Sequence, residues 1–133
     1  MEQASLQING SPATALLAPL DLPSWNEAFL SIEGPKTPTV GQRYRLRVRP
    51  GLSGWLEYAS ISSERIEMTW QVPGFREQGV WLIDQDQVTH SFAHTGPLAA
   101  VLRSAYRGIA TVRLERLRAR LVEVGAGLAV AAE

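Results

Sequence analysis

Cysteine is absent from this chain and lysine nearly so: of 13 basic residues, all but Lys36 are arginine. Without cysteine there is no disulfide, no thiolate metal site and no cysteine nucleophile. Histidine is scarce, at two residues, and a metal centre needs three or four converging ligands. We therefore expect no metal and no cofactor. An excess of charge of either sign is also missing, since 13 acidic residues balance the 13 basic ones. That balance argues against nonspecific nucleic-acid binding and against an anionic membrane surface as a partner. No apolar run approaches the ~18 residues of a membrane span. The opening Met1-Glu2-Gln3-Ala4-Ser5 has neither a basic n-region nor an apolar h-region. A cytoplasmic protein without membrane insertion, monomeric or weakly dimeric, is the expectation. Phosphate-loop, GxSxG and HExxH motifs are missing as well, and Gly51-Leu52-Ser53-Gly54 reads as a hairpin turn.

What is present is a run of short strands followed by one helical segment. The length of 133 residues suits a single domain. Ser5 to Asn9 alternates polar and apolar residues. Gly10-Ser11-Pro12 then opens a short helix at Ala13 to Leu20, with Ser11 as N-cap. Ser24-Trp25-Asn26 reads as a second single turn. Gln42 to Arg49 is the clearest strand, with Tyr44, Leu46 and Val48 on one face and Arg43, Arg45, Arg47 and Arg49 on the other. Further strands cover Ser53 to Ile61, Arg65 to Val72, Arg76 to Asp84 and Gln87 to Thr95, joined by hairpin-length turns. From Gly96-Pro97 to Glu123 the spacing predicts one long helix. Leu98, Val101, Leu102, Ala105, Ile109 and Val112 share a narrow arc. Beyond Val112 that arc passes to Arg116 and Arg120, while Leu114, Leu117 and Leu121 continue the apolar stripe about 100° away. A bend or rotation near Gly108 accounts for the shift; the alternative is a helix end running past the sheet. Either way the helix has only the sheet to pack on. A curved antiparallel sheet around one helix encloses a cavity.

These features resemble the START-like (SRPBCC) superfamily, in its small polyketide cyclase/dehydrase and lipid transport branch. The matching pieces are Asn9-Gly10-Ser11-Pro12, Asp21-Leu22-Pro23-Ser24-Trp25, Val40-Gly41, Met68-Thr69-Trp70, Gln87-Val88-Thr89-His90 and Gly96-Pro97-Leu98-Ala99. The ordered set carries the resemblance. It implies an α+β helix-grip fold: a seven-stranded curved antiparallel sheet wrapped around a long C-terminal helix, with two short helices between strands 1 and 2. It also implies one START-like domain over residues 1–124, followed by a flexible tail over 125–133. Small members of this branch look like hydrophobic-ligand binders, and no invariant catalytic residue carries over.

Candidate site residues follow from the inward faces. His90 and His94 share a strand face with Val88 and Phe92, their Cα atoms ~13 Å apart at ~3.3 Å per residue. Either is an acid/base or hydrogen-bonding candidate, or simply part of a cavity wall. Trp55, Trp70, Phe75, Trp81 and Phe92 from the sheet, with Leu102, Tyr106 and Ile109 from the helix, are expected to line an apolar pocket. Core packing is the plainer role for each of them. The arginine ladder reads as an outer face paired with Glu57 and Glu67. Arg113, Arg116 and Arg120 read as a solvated helix end. Three functions are consistent with this: a binder or transporter of a hydrophobic small molecule (lipid, polyketide or aromatic metabolite); a cyclase/dehydratase-like enzyme using a cavity histidine; or a protein-interaction module using the arginine-rich face.

Overall fold

In a computed structural model the described residues are 2–132, with side chains described through 125. Seven strands form one antiparallel sheet in the order β1-β7-β6-β5-β4-β3-β2. They are β1 (Glu2–Gln7), β2 (Phe29–Glu33), β3 (Arg43–Val48), β4 (Leu52–Ile61), β5 (Arg65–Val72), β6 (Phe75–Asp84) and β7 (Gln87–Thr95). Between β1 and β2 lie helix α1 (Pro12–Leu16) and a 3₁₀ segment (Pro19–Ser24). The sheet curves around the C-terminal helix, and register shifts in β2 and β4 contribute extra local bend. This is the expected helix-grip architecture.

Alternation decides which face is inside. Tyr44, Leu46 and Val48 of β3 are buried while Arg43, Arg45 and Arg47 are exposed. Arg43 faces Glu57 in register, as expected, whereas Glu67 pairs with Arg65 of its own strand at 3.2 Å. The core under the helix joins Ile8, Leu16, Leu22, Trp25, Leu56, Tyr58, Ile66, Trp81 and Val88 to Leu114 and Leu117. Trp25, just past the 3₁₀ segment, is buried edge-on against Trp81, with ring centroids 5.6 Å apart.

The C-terminal segment departs from the single helix that was expected. A short α2 (Ala99–Leu102) is followed by turns, and the long α3 (Ile109–Ala132) starts afresh. Gly108 makes the break with φ of 81°, a backbone conformation that costs glycine little. The arc from Leu98 to Val112 therefore is not one buried stripe, and Val101 is 72% exposed. The stripe that faces the sheet is Ala110, Arg113, Leu114 and Leu117, at helical spacing. Two anchors fix α3. Glu2 of β1 accepts hydrogen bonds from Gly108 N and Ala110 N at 2.6 and 2.7 Å, placing a carboxylate at the positive end of the helix. Arg120, expected to be solvated, forks onto both carboxylate oxygens of Asp21 at 3.0 and 2.8 Å. The flexible tail expected over 125–133 falls largely on side chains outside the described residues.

Candidate functional site

The space beneath the first turns of α3, expected to be an open chamber, is occupied by charge. Arg113, expected at a wet helix end, is 1% exposed because its position belongs to the inward stripe. It points at Glu77, which is 4% exposed and sits in the inward register of β6 with Phe75, Gly79 and Trp81. Strand pairing builds the rest. Trp70 of β5 is opposite Glu77, and Glu77 is opposite His94 of β7. Three adjacent strands thus set an indole, a carboxylate and an imidazole in one row.

All three nitrogens of Arg113 are hydrogen-bonded. Nη1 and Nη2 donate to the two oxygens of Glu77 at 2.9 and 3.0 Å. Nε donates to Glu27 Oε1 at 3.0 Å, and Nη2 also lies 3.0 Å from that oxygen. The remaining Nη1 donor meets His90 Nε2 at 3.3 Å. Glu77 further accepts from Trp70 Nε1 at 2.9 Å and from His94 Nε2 at 2.8 Å. Burial alone would push the Glu77 carboxyl up, but Arg113 and the His94 hydrogen bond prevail and hold it down at about 2. Burial raises the opposite problem for Arg113, and the two glutamates outweigh it, so its pKa goes up.

The two histidines fare differently. His90 is buried, its Nδ1–H donates to Val80 O at 3.0 Å, and its Nε2 accepts from Arg113. Its ring stacks on Trp81 with centroids 3.7 Å apart. Burial first, and the neighbouring guanidinium second, push its pKa down to about 3. It is neutral and both nitrogens are engaged, so it has nothing to offer a ligand. His94 is engaged only through Nε2. The buried side-chain nitrogens and oxygens without a partner, among the described residues, are Trp25 Nε1 and Arg76 Nε. His94 Nδ1 has no hydrogen-bond partner among the described residues and is not among these buried atoms.

His94 lines a pocket of about 310 Å³ between β7 and the α2–α3 turns. Phe92, His94 and Tyr106 form its wall, Arg103 and Arg107 stand on the turns, and Glu2 closes the sheet edge. His94 and Tyr106 have ring centroids 4.4 Å apart, and Phe75 packs on both at 4.5 and 5.4 Å. Burial, then the Glu77 charge, pushes the Tyr106 phenol up to about 12, so it stays a hydrogen-bond donor. A second pocket of about 480 Å³ lies at the other end of the strands, between Leu17, Leu20, Pro38 and Ile61.

Of the residues expected to line a ligand site, Phe92, His94 and Tyr106 reach the first pocket, with Phe75 behind them. Trp70 and His90 belong to the buried charge network, and Trp81 supports His90. Leu102 and Ile109 are half-buried. Trp55 is on the opposite face of the sheet, where the Arg43 and Arg76 guanidiniums lie 4.0 and 5.6 Å from its ring centroid. Its place in β4 has the same parity as Ser53 and Glu57, and opposite parity to Leu56 and Tyr58. Sequence reasoning missed Glu77, Arg113 and Glu27. For Glu77 the signal was there, a carboxylate at an inward strand position between Phe75 and Trp81.

Neither a family model nor a curated protein matches this sequence. Solved structures do. The di-domain ARO/CYC StfQ from the steffimycin biosynthetic pathway superposes with a TM-score of 0.68 at 12% identity, over 94% of this chain and 51% of that one. Protein MLL2253 from Mesorhizobium loti gives 0.66 at 17%, covering 92% and 96%. DynU16, from the dynemicin biosynthetic locus, gives 0.57 at 17%, covering 92% and 47%. At these identities the likeness defines the fold, helix-grip.

Proposed function

We propose that the protein binds a compact amphipathic organic molecule in the pocket beside His94 and Tyr106. One observation carries this reading: at that pocket an aromatic wall, the His94 imidazole and two arginines converge. Neither Arg103 nor Arg107 has a carboxylate within ion-pair distance among the described residues. Ligand sites commonly combine apolar walls with a few polar groups that fix orientation. At about 310 Å³ the pocket is at the small end of the usual ~300–1,000 Å³ range, which favours an aromatic metabolite over a long-chain lipid. The fold shared with StfQ, a di-domain ARO/CYC from the steffimycin biosynthetic pathway, supports a small organic ligand. The arginines favour an acidic or oxygen-rich substituent.

Titration with 2-naphthoate, followed by amide NMR, tests the reading. Shifts are expected at residues 92–94, 99, 103 and 106–107. Shifts confined to residues 17–21 and 36–38 would move the site to the second pocket, and no shifts up to millimolar ligand would remove the binding function.

A further inference from the structure

We propose that His94, held by Glu77, is a general base, taking a proton through Nδ1 from an aromatic carbon acid seated in the adjacent pocket, with Tyr106 and the arginines meeting the oxyanion that forms. This rests on the pocket being the ligand site.

The geometry of the buried row supports it. Glu77 is an ionised carboxylate with no solvent, so the 2.8 Å contact to His94 requires Nε2 to be the donor. That fixes the tautomer. In the neutral ring that leaves the lone pair on Nδ1, the arrangement in which a carboxylate orients an imidazole for proton transfer and stabilises the imidazolium that results. Nδ1 has no hydrogen-bond partner among the described residues, and His94 lines the pocket. His90, on the same strand face, shows what a purely structural histidine looks like here: both nitrogens bonded, ring stacked, no exposure. The chain thus buries a carboxylate at considerable desolvation cost and directs one of its oxygens at the histidine that has a lone pair to spare. Arg113 and Trp70 keep that carboxylate ionised and oriented. Glu77 is accordingly a positioning residue, and His94 the catalytic one.

The other half of the reaction is also provided for. Removing a proton from carbon next to a carbonyl sends the electron pair to oxygen, and removing a ring C–H whose loss breaks an adjacent N–O bond leaves a pair on oxygen as well. The Tyr106 hydroxyl has no hydrogen-bond partner among the described residues, and Tyr106 lines the same pocket as Arg103 and Arg107. Glu2, the remaining charge at the rim, already accepts two helix amides. In the forward step the C–H bond breaks and the proton goes to Nδ1. The electron pair moves to the oxygen, giving an enolate or phenolate beside an imidazolium–Glu77 pair. Return of the proton to a different atom gives an isomerised product, with no other reactant.

5-Nitrobenzisoxazole tests this, because a base removes its ring C–H, the N–O bond breaks, and the product is a coloured cyanonitrophenolate. Turnover by the wild-type protein is expected to exceed that of free imidazole at equal concentration by about 10²-fold or more. His94→Gln should fall to the imidazole background while still showing the pocket amide shifts with the probe, and Trp55→Ala, on the outer face, should retain the wild-type rate. Pocket shifts with turnover no faster than imidazole, or undiminished turnover in His94→Gln, would overturn the general base and leave the binding site standing. Absence of pocket shifts would remove the binding site, and the base with it.

Discussion

Replacing Arg113 by methionine keeps an unbranched, flexible stem and deletes the positive charge that compensates Glu77. In the folded protein Arg113 is 1% and Glu77 4% exposed, so the orphaned carboxylate cannot reach water. Breaking one partner of a buried pair costs about 3–5 kcal/mol, largely from that uncompensated charge. With a urea slope of about 1–3 kcal/mol per M for a chain of this size, the midpoint should fall by about 2 M. Glu77→Gln alone should also destabilise, by about 2–4 kcal/mol, although Glu27 still partners the arginine. The double variant should be less destabilised than the sum of the singles by at least about 1.5 kcal/mol, because an amide facing a thioether leaves no unpaired charge in the dry core and Glu27, with its side chain 21% exposed, can be hydrated. The pH dependence provides a second arm. Without Arg113, burial dominates and the Glu77 pKa moves above its unfolded value. A group with a raised folded pKa contributes its stability at low pH and loses it as pH rises, so Arg113→Met should lie closer to wild type at pH 5 than at pH 8. Additivity of the two substitutions within about 0.5 kcal/mol, or a penalty below about 1 kcal/mol for Arg113→Met, would refute the reading of this cluster as a tight buried pair.

Three further expectations follow from other parts of the fold. Glu2→Ala removes the acceptor for two amides at the start of α3 and should cost about 1–2 kcal/mol, read as a lower thermal midpoint. His90 is neutral in the fold down to about pH 3 but protonates near 6.5 when unfolded, and Glu77 is ionised down to about 2 against 4.5. The unfolded state therefore binds more protons across both windows, and stability should fall as pH drops from 6.5 by a few kcal/mol. His90→Gln should flatten the upper part of that curve, between pH 6.5 and 4.5, and a curve parallel to wild type would refute the assignment. Gly54→Ala would drive a methyl group into the Gln71 carbonyl oxygen of the paired strand and should cost about 3 kcal/mol, measured by urea melts; a neutral result would mean that β4 and β5 separate easily.

Most of the sheet was legible in the sequence because its strands alternate cleanly. β5 and β7 have the expected boundaries, and β3, with its arginine side and its apolar side, differs by one residue at each end. The helix was less legible. Leu98 to Val112 has acceptable helical spacing, but a left-handed glycine at position 108 interrupts it, and periodicity analysis registers only a phase change. Arg113 escaped for a different reason: hydrophobic patterning assigns any arginine to solvent, and its burial depends on two carboxylates, 36 and 86 residues away in sequence. Trp55 shows the opposite error, since aromatic character suggested an interior place that its strand parity contradicts.

The row formed by Trp70, Glu77 and His94 also constrains how the strands can align. Hydrophobic side chains tolerate a two-residue slip, because one apolar group substitutes for another. Charge does not: sliding β6 by one residue would present Arg76 or Gln78 to the interior, and sliding it by two would put Phe75 or Gly79 opposite His94. In every such alternative Arg113 loses its bidentate acceptor inside a dry core. The buried pair thus acts as a key that accepts a single pairing of three central strands and penalises the near-misses that greasy contacts alone would let through.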